Sequence, residues 1–81
     1  MPYDTPSLTV ATLLRKHRKA SGMTQGQLAE AINEQQSFVS RCENGQQQIT
    51  FVDLDKMLRA MGCTLAEFVA EYEVTNDEEM S

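Results

Sequence analysis

Residues Met23–Gly45 read MTQGQLAEAINEQQSFVSRCENG, and this stretch decides the fold. Thr24, with Gln27 three positions on, makes a capping box. In such a box the threonine hydroxyl accepts from an orphan backbone N–H while the glutamine side chain reaches back to the cap. Leu28 and Ile32, four apart, share one face of the helix that follows, and Ala29 offers only a methyl where a second helix crosses. Asn33 tolerates the left-handed backbone that a tight turn between helices demands. A second short helix then carries Val39 and Cys42 inward, with Gln36, Ser37, Ser40 and Arg41 outward, and Asn44-Gly45 stops it.

Outward from this block the chain reads as more short helices. Thr5-Pro6 is a cap followed by proline at the first helical position, where its missing donor costs nothing. Helix 1 then runs to about Ala20 with Val10, Leu13, Leu14 and His17 along one stripe, and Gly22 lies just past its end. Helix 2 spans about Gln25–Ile32 and helix 3 about Gln36–Glu43, followed by a polar Gln46-Gln47-Gln48 loop. Helix 4 starts at the Thr50 cap, carries Phe51, Leu54, Met57, Leu58 and Met61 inward, and ends at Gly62. Thr64-Leu65-Ala66-Glu67 is another capping box, opening helix 5 with Leu65, Phe68 and Val69. Residues 1–5 are expected to be a flexible leader, 6–73 the domain, and 74–81 an acidic, disordered tail.

A chain of 81 residues allows one domain with a small core. No apolar stretch is long enough for a membrane span and no signal-peptide pattern opens the chain, so a cytoplasmic protein is expected. The net charge of −5 is unevenly placed. Glu71, Glu73, Asp77, Glu78 and Glu79 sit together at the end without a Lys or Arg, whereas the cations of residues 1–70 balance the acids there. A neutral domain with an acidic tail can still bind DNA, with weaker non-specific affinity than a basic one. Cys42 and Cys63 lack zinc or redox spacing and read as small apolar residues. His17 is the one histidine, and no phosphate loop or metal motif accompanies it. Neither catalysis, metal nor cofactor is expected.

The central block resembles the Cro/lambda-repressor-type, or XRE-like, helix-turn-helix family. The residues that carry the resemblance are Thr24-Gln25, Leu28-Ala29, Ser37, Val39-Ser40-Arg41 and Glu43-Asn44-Gly45, and Arg18 and Phe51–Phe68 also fit. It covers roughly residues 8–69. The resemblance implies an all-α, compact five-helix, lambda-repressor-like DNA-binding domain with its helix-turn-helix at helices 2 and 3. It further implies a small prokaryotic transcriptional regulator, a repressor, acting as a homodimer on double-stranded DNA. Two copies of helix 3 would then lie in successive major grooves of a near-palindromic operator, about 34–36 Å apart. An antitoxin-like module, whose acidic tail folds on a protein partner, and a restriction-modification controller are alternatives using the same domain.

On this footing the base contacts fall to Gln36, Ser37, Phe38, Ser40 and Arg41. Glutamine can pair with adenine through two hydrogen bonds, and Arg41 can take a guanine or a phosphate. Phe38 either touches thymine methyls or packs at the rim of the core. Phosphate contacts fall to Thr24, Gln25, Gln35, Asn44, Gln46 and Gln47, through helix N-termini and the turn after helix 3. Arg18 and Glu43 match a family pair that forms a partly buried salt bridge. Phe68, Val69, Tyr72 and Val74 are the candidate dimer surface. Several residues depart from the family pattern: Asn33 where glycine is usual, Glu34 in the turn, Gln35 in place of a Ser/Thr cap, and glutamines where the loop often has Lys or Arg. The last of these predicts a shallow salt dependence, since each phosphate neutralised by a cation contributes about 0.9 to the log–log slope and glutamine neutralises none.

Overall fold

A computed structural model describes the backbone of residues 5–80 and the side chains of residues 8–75. Five helices follow one another, α1 Thr5–Ala20, α2 Gln25–Ala31, α3 Gln36–Glu43, α4 Phe51–Ala60 and α5 Leu65–Met80, and no strand occurs among the described residues. The fold is the expected all-α one. Met1–Asp4 and the side chain of the Thr5 cap lie outside the described residues.

The caps set the helix starts. Gln27 N–H donates to Thr24 Oγ1 at 3.1 Å, while Thr24 N–H donates to Gln27 Oε1 at 2.8 Å, completing the box that opens α2. Thr50 accepts from Asp53 N–H at 3.1 Å to open α4. At α5 the box is altered: Thr64 Oγ1 accepts from Glu67 N–H, but its hydroxyl donates to the Glu67 carboxylate at 2.9 Å.

The α2–α3 turn is closed by two bonds, Asn33 N–H to Glu30 O at 3.1 Å and Glu34 N–H to Ala29 O at 2.8 Å. This double closure needs a left-handed residue at its centre, and Asn33 supplies it with φ 58°. Asparagine stands there at modest cost because its short polar side chain suffers less than a branched one.

Leu13 and Leu14 of α1, Leu28 and Ala29 of α2, Val39 and Cys42 of α3, Met57 and Leu58 of α4, and Phe68 of α5 form one buried core. Ala29 is buried where α2 and α3 pack, as its small side chain allows. Removing a buried side chain of this set, Leu14→Ala for example, costs about 2–5 kcal/mol in comparable cores.

Three expectations are corrected. Phe51, placed inward on the apolar stripe of α4, is 70% exposed. It sits at the first helical position, where side chains lean toward the helix N-terminus and so project beyond the core that Leu54 and Leu58 reach. Phe68, offered as a dimer surface, is 1% exposed and closes the core beneath α5. The segment from Val74, expected to be disordered, continues α5 as helical backbone to Met80. After Gly62 the chain has neither glycine nor proline, and glutamate is a good helix former, so nothing local ends the helix.

Candidate nucleic-acid interface

The C-terminal end of α3 is pinned by a buried ion pair. Arg18 of α1 donates to Glu43 through Nε at 2.6 Å and Nη2 at 3.0 Å, a two-pronged contact. The remaining Arg18 Nη1 donates to Met23 O at 2.9 Å, in the segment that leads into α2. Gln25 Nε2 adds a third donor to the same carboxylate, at 3.1 Å from Glu43 Oε1. The side chains of Arg18 and Glu43 are 10% and 3% exposed. The hydrogen bond to Glu43 raises the Arg18 pKa further above its ordinary value, against the opposing effect of burial. A planar guanidinium suits this geometry better than an ammonium, because its fork matches the two carboxylate oxygens. One carboxylate thereby ties α1, the start of α2 and the end of α3 together.

The N-terminal end of α3 is open. Gln35 occupies the cap position with extended backbone, φ −83° and ψ 152°, yet its side chain makes no capping bond. Gln36 and Ser37 are exposed on the first turn, and Arg41 is exposed one turn further on. Gln36 lies beside Gly26 of α2, so the two helices present adjoining polar positions. Ser40 is half-buried, and Asn44 Nδ2 approaches its hydroxyl at 3.5 Å. Arg41 Nε donates to Gln47 Oε1 at 3.2 Å, drawing the loop toward the outer face of α3. Gln47 Nε2 in turn donates to Gln48 O at 3.2 Å. Asn44 and Gln46 are exposed, and Gln46 N–H donates to Arg41 O at 2.9 Å to close the turn at Gly45.

The residues expected at the interface therefore divide. Gln35, Gln36, Ser37, Arg41, Asn44 and Gln46 are all exposed, on or beside α3, with half-buried Gln47 held by Arg41. Thr24 is exposed but its hydroxyl is used in capping. The Gln25 side chain is turned onto Glu43. Phe38 is half-buried and packed against the core, the second of its two readings.

Two features are not visible in the linear sequence. One is the Gln25–Glu43 bond, which no local spacing announces. The other is Glu71, which receives Lys16 Nζ at 3.1 Å and lies 2.7 Å from His17 Nε2. Hydrogen bonds from His17 first and Lys16 second hold the Glu71 carboxyl below the usual glutamate range. The His17 ring also packs on Phe68, with centroids 5.9 Å apart. Cys42 is buried, and desolvation pushes its thiol up to about 11, so at neutral pH it remains an apolar filler. Among the described residues no group of three or more His, Cys, Asp or Glu could hold a metal ion, and no helix is long and apolar enough to cross a membrane.

A capped helix, a left-handed turn and a second helix with an exposed polar face define a class. The chain belongs to the helix-turn-helix family of DNA-binding regulators, whose model matches residues 14–68. The structure is similar to that of the clp gene regulator ClgR from Corynebacterium glutamicum, with 22% identity, a TM-score of 0.86, and coverage of 95% of this chain and 82% of that one. It is also similar to the restriction-modification controller protein C.Esp1396I, described as a tetramer in complex with its natural 35-base-pair operator. There the identity is 22% and the TM-score 0.78, covering 85% of this chain and 91% of the controller. No curated protein sequence matches.

Proposed function

We propose that the chain is a small prokaryotic transcriptional regulator, a repressor, that binds operator DNA as a homodimer in the cytoplasm and carries no catalytic activity. The observation that supports this reading is the asymmetry of α3. Its C-terminal end is fixed by Arg18, Glu43 and Gln25, while Gln36, Ser37 and Arg41 stand exposed on the outer face. A helix so held enters a major groove as a rigid reader, its first residues at the base edges. Gln36 and Ser37 read bases, with Phe38 and Ser40 at the margin of the contact. Arg41 takes a guanine or a phosphate. Thr24, Gln25, Gln35, Asn44, Gln46 and Gln47 supply phosphate contacts through backbone N–H groups and amides. With one cation on α3 and glutamines in the loop, the salt dependence is shallow.

Selection from a randomised duplex pool at moderate salt tests this. An enriched near-palindrome with half-sites about one helical turn apart is the expected outcome. A folded, monodisperse sample that enriches no sequence would overturn the reading.

A further inference from the structure

The outer face of α4 carries an apolar surface that the core does not use. Phe51 is 70% and Val52 60% exposed, among the largest exposures of the bulky hydrophobic side chains described. Phe51, Asp55 and Arg59 recur every fourth residue and form one stripe along the helix. The stripe borders a groove of about 300 Å³ lined by Phe51, Asp55, Arg59, Cys63, Thr64 and Leu65. Arg59 Nε lies 3.0 and 3.1 Å from the two Asp55 oxygens, yet the Arg59 side chain is 78% exposed.

From Phe51 to Arg59, the stripe is an apolar side chain, an acid and a base, in that order. Such an order is self-complementary. Two copies of α4 packed antiparallel about a two-fold axis between residues 55 and 59 bring each Asp55 opposite the Arg59 of the other copy. Phe51 lies six residues from the axis, about 9 Å along the helix, and so comes beside the C-terminal end of the second copy's α4, which stops at Ala60. Just past that end, Cys63, Thr64 and Leu65 line the same groove that Phe51, Asp55 and Arg59 border. The two-fold relation makes the same contact twice.

The exit of α5 is a poorer surface for a second copy. Val69 and Val74 are exposed but lie about 140° apart around the helix, so they share no face. Tyr72 is packed against the core, Glu71 is paired with Lys16, and every charge after it is negative, so two such segments repel. On α4 both signs are present, with Asp53 and Asp55 against Lys56 and Arg59.

We infer that the Phe51–Asp55–Arg59 stripe of α4, with the groove it borders, is where a second copy of this chain docks, antiparallel helix against helix. The inference rests on the homodimer proposed above and names its surface. Sedimentation equilibrium of the full chain tests it, using wild type, Asp55→Lys, Arg59→Glu and an equimolar mixture of the two variants, with far-UV circular dichroism to verify folding. Wild type is expected to dimerise. Each variant places like charges in register across the axis and should dimerise at least tenfold more weakly. The mixture should recover a heterodimer, since Lys at 55 then meets Glu at 59 and Arg59 meets Asp55. A role confined to one chain could not give that recovery. Phe51→Asp should also yield a folded monomer. Variants that dimerise like wild type, or a mixture that stays monomeric, would overturn this surface and leave the dimer standing. A wild type that is monomeric both free and on its operator would overturn the dimer as well.

Discussion

The two ends of α3 are built on opposite lines. Glu43 at one end receives Arg18 twice and Gln25 once, all within 3.1 Å, and is withdrawn from water. Gln35 at the other end gives the helix no side-chain bond and lies exposed. The anchored end determines where the helix points. The open end keeps polar groups unspent for whatever the helix meets. A short helix of eight residues is marginal by itself, so its orientation must come from such an anchor and from the buried Val39 and Cys42.

The largest effect should follow from breaking the anchor. Glu43→Ala leaves Arg18 buried without its carboxylate, and removing one member of a buried pair costs about 3–5 kcal/mol. For a domain of this size that is a large part of the total stability, and each kcal/mol lowers Tm by roughly 4–8 °C. Glu43→Gln, which keeps acceptor and shape but not charge, should cost less. Thermal unfolding followed by circular dichroism ranks the two. Equal and small losses would mean that the pair does not hold the fold.

At the open end the expected effect is on binding. Gln36→Ala should weaken specific DNA binding by roughly 1–3 kcal/mol and relax preference at one base position, with Tm unchanged. Measuring affinity on the selected operator and on single-base variants distinguishes base reading from phosphate contact, which would weaken all sequences alike. Arg41→Ala should reduce the log–log salt slope by about 0.9 if the guanidinium sits on a phosphate, and leave the slope unchanged if it reads guanine.

The anchored end was half legible in the chain and the open end almost wholly so, for a physical reason. Caps and turns are local: Thr24 with Gln27, and Asn33 at the turn, announce themselves within a few residues, and α3 begins and ends where they place it. The Arg18–Glu43 pair could be named because the family resemblance supplied it, whereas the Gln25 bond depends on how α2 meets α3 in space. Phe51 misled because periodicity assigns a face but does not say where along a helix the core stops. Glu71 misled differently. Among five acids at the end of a chain it carries no mark, and its partners on α1 are more than fifty residues away.

A smaller effect should follow from closing the open end. Gln35 already has the extended backbone of a cap, so Gln35→Ser needs no rearrangement to bond an N–H of the first turn. Stabilisation of about 0.5–1 kcal/mol is expected, the usual value of a cap or a little less. If those N–H groups serve DNA phosphates, the same change should weaken binding, because the serine oxygen then occupies one of them. A stabilised variant that binds DNA as wild type does would show that the uncapped turn takes no part in the interface.

The smallest effect concerns the tie between α5 and α1, a partly exposed counterpart of the buried anchor. His17 and Lys16 hold the Glu71 carboxyl below its usual range, so the folded state binds a proton there less readily than the unfolded chain. The sign follows directly: the contribution is present at neutral pH and is lost as the solution is acidified through the ordinary glutamate value, about 4.3, and below. Glu71 is about one-third exposed, so water and salt screen the pair and the stake is below about 1 kcal/mol. Urea unfolding of wild type and Glu71→Gln at neutral pH should therefore differ slightly, in favour of wild type. The gap should shrink under acid and under high salt. A gap that survives both would mean that the Glu71 contribution is not ionic, leaving the buried Arg18–Glu43 pair as the ionic tie, among the described residues, on which the fold depends.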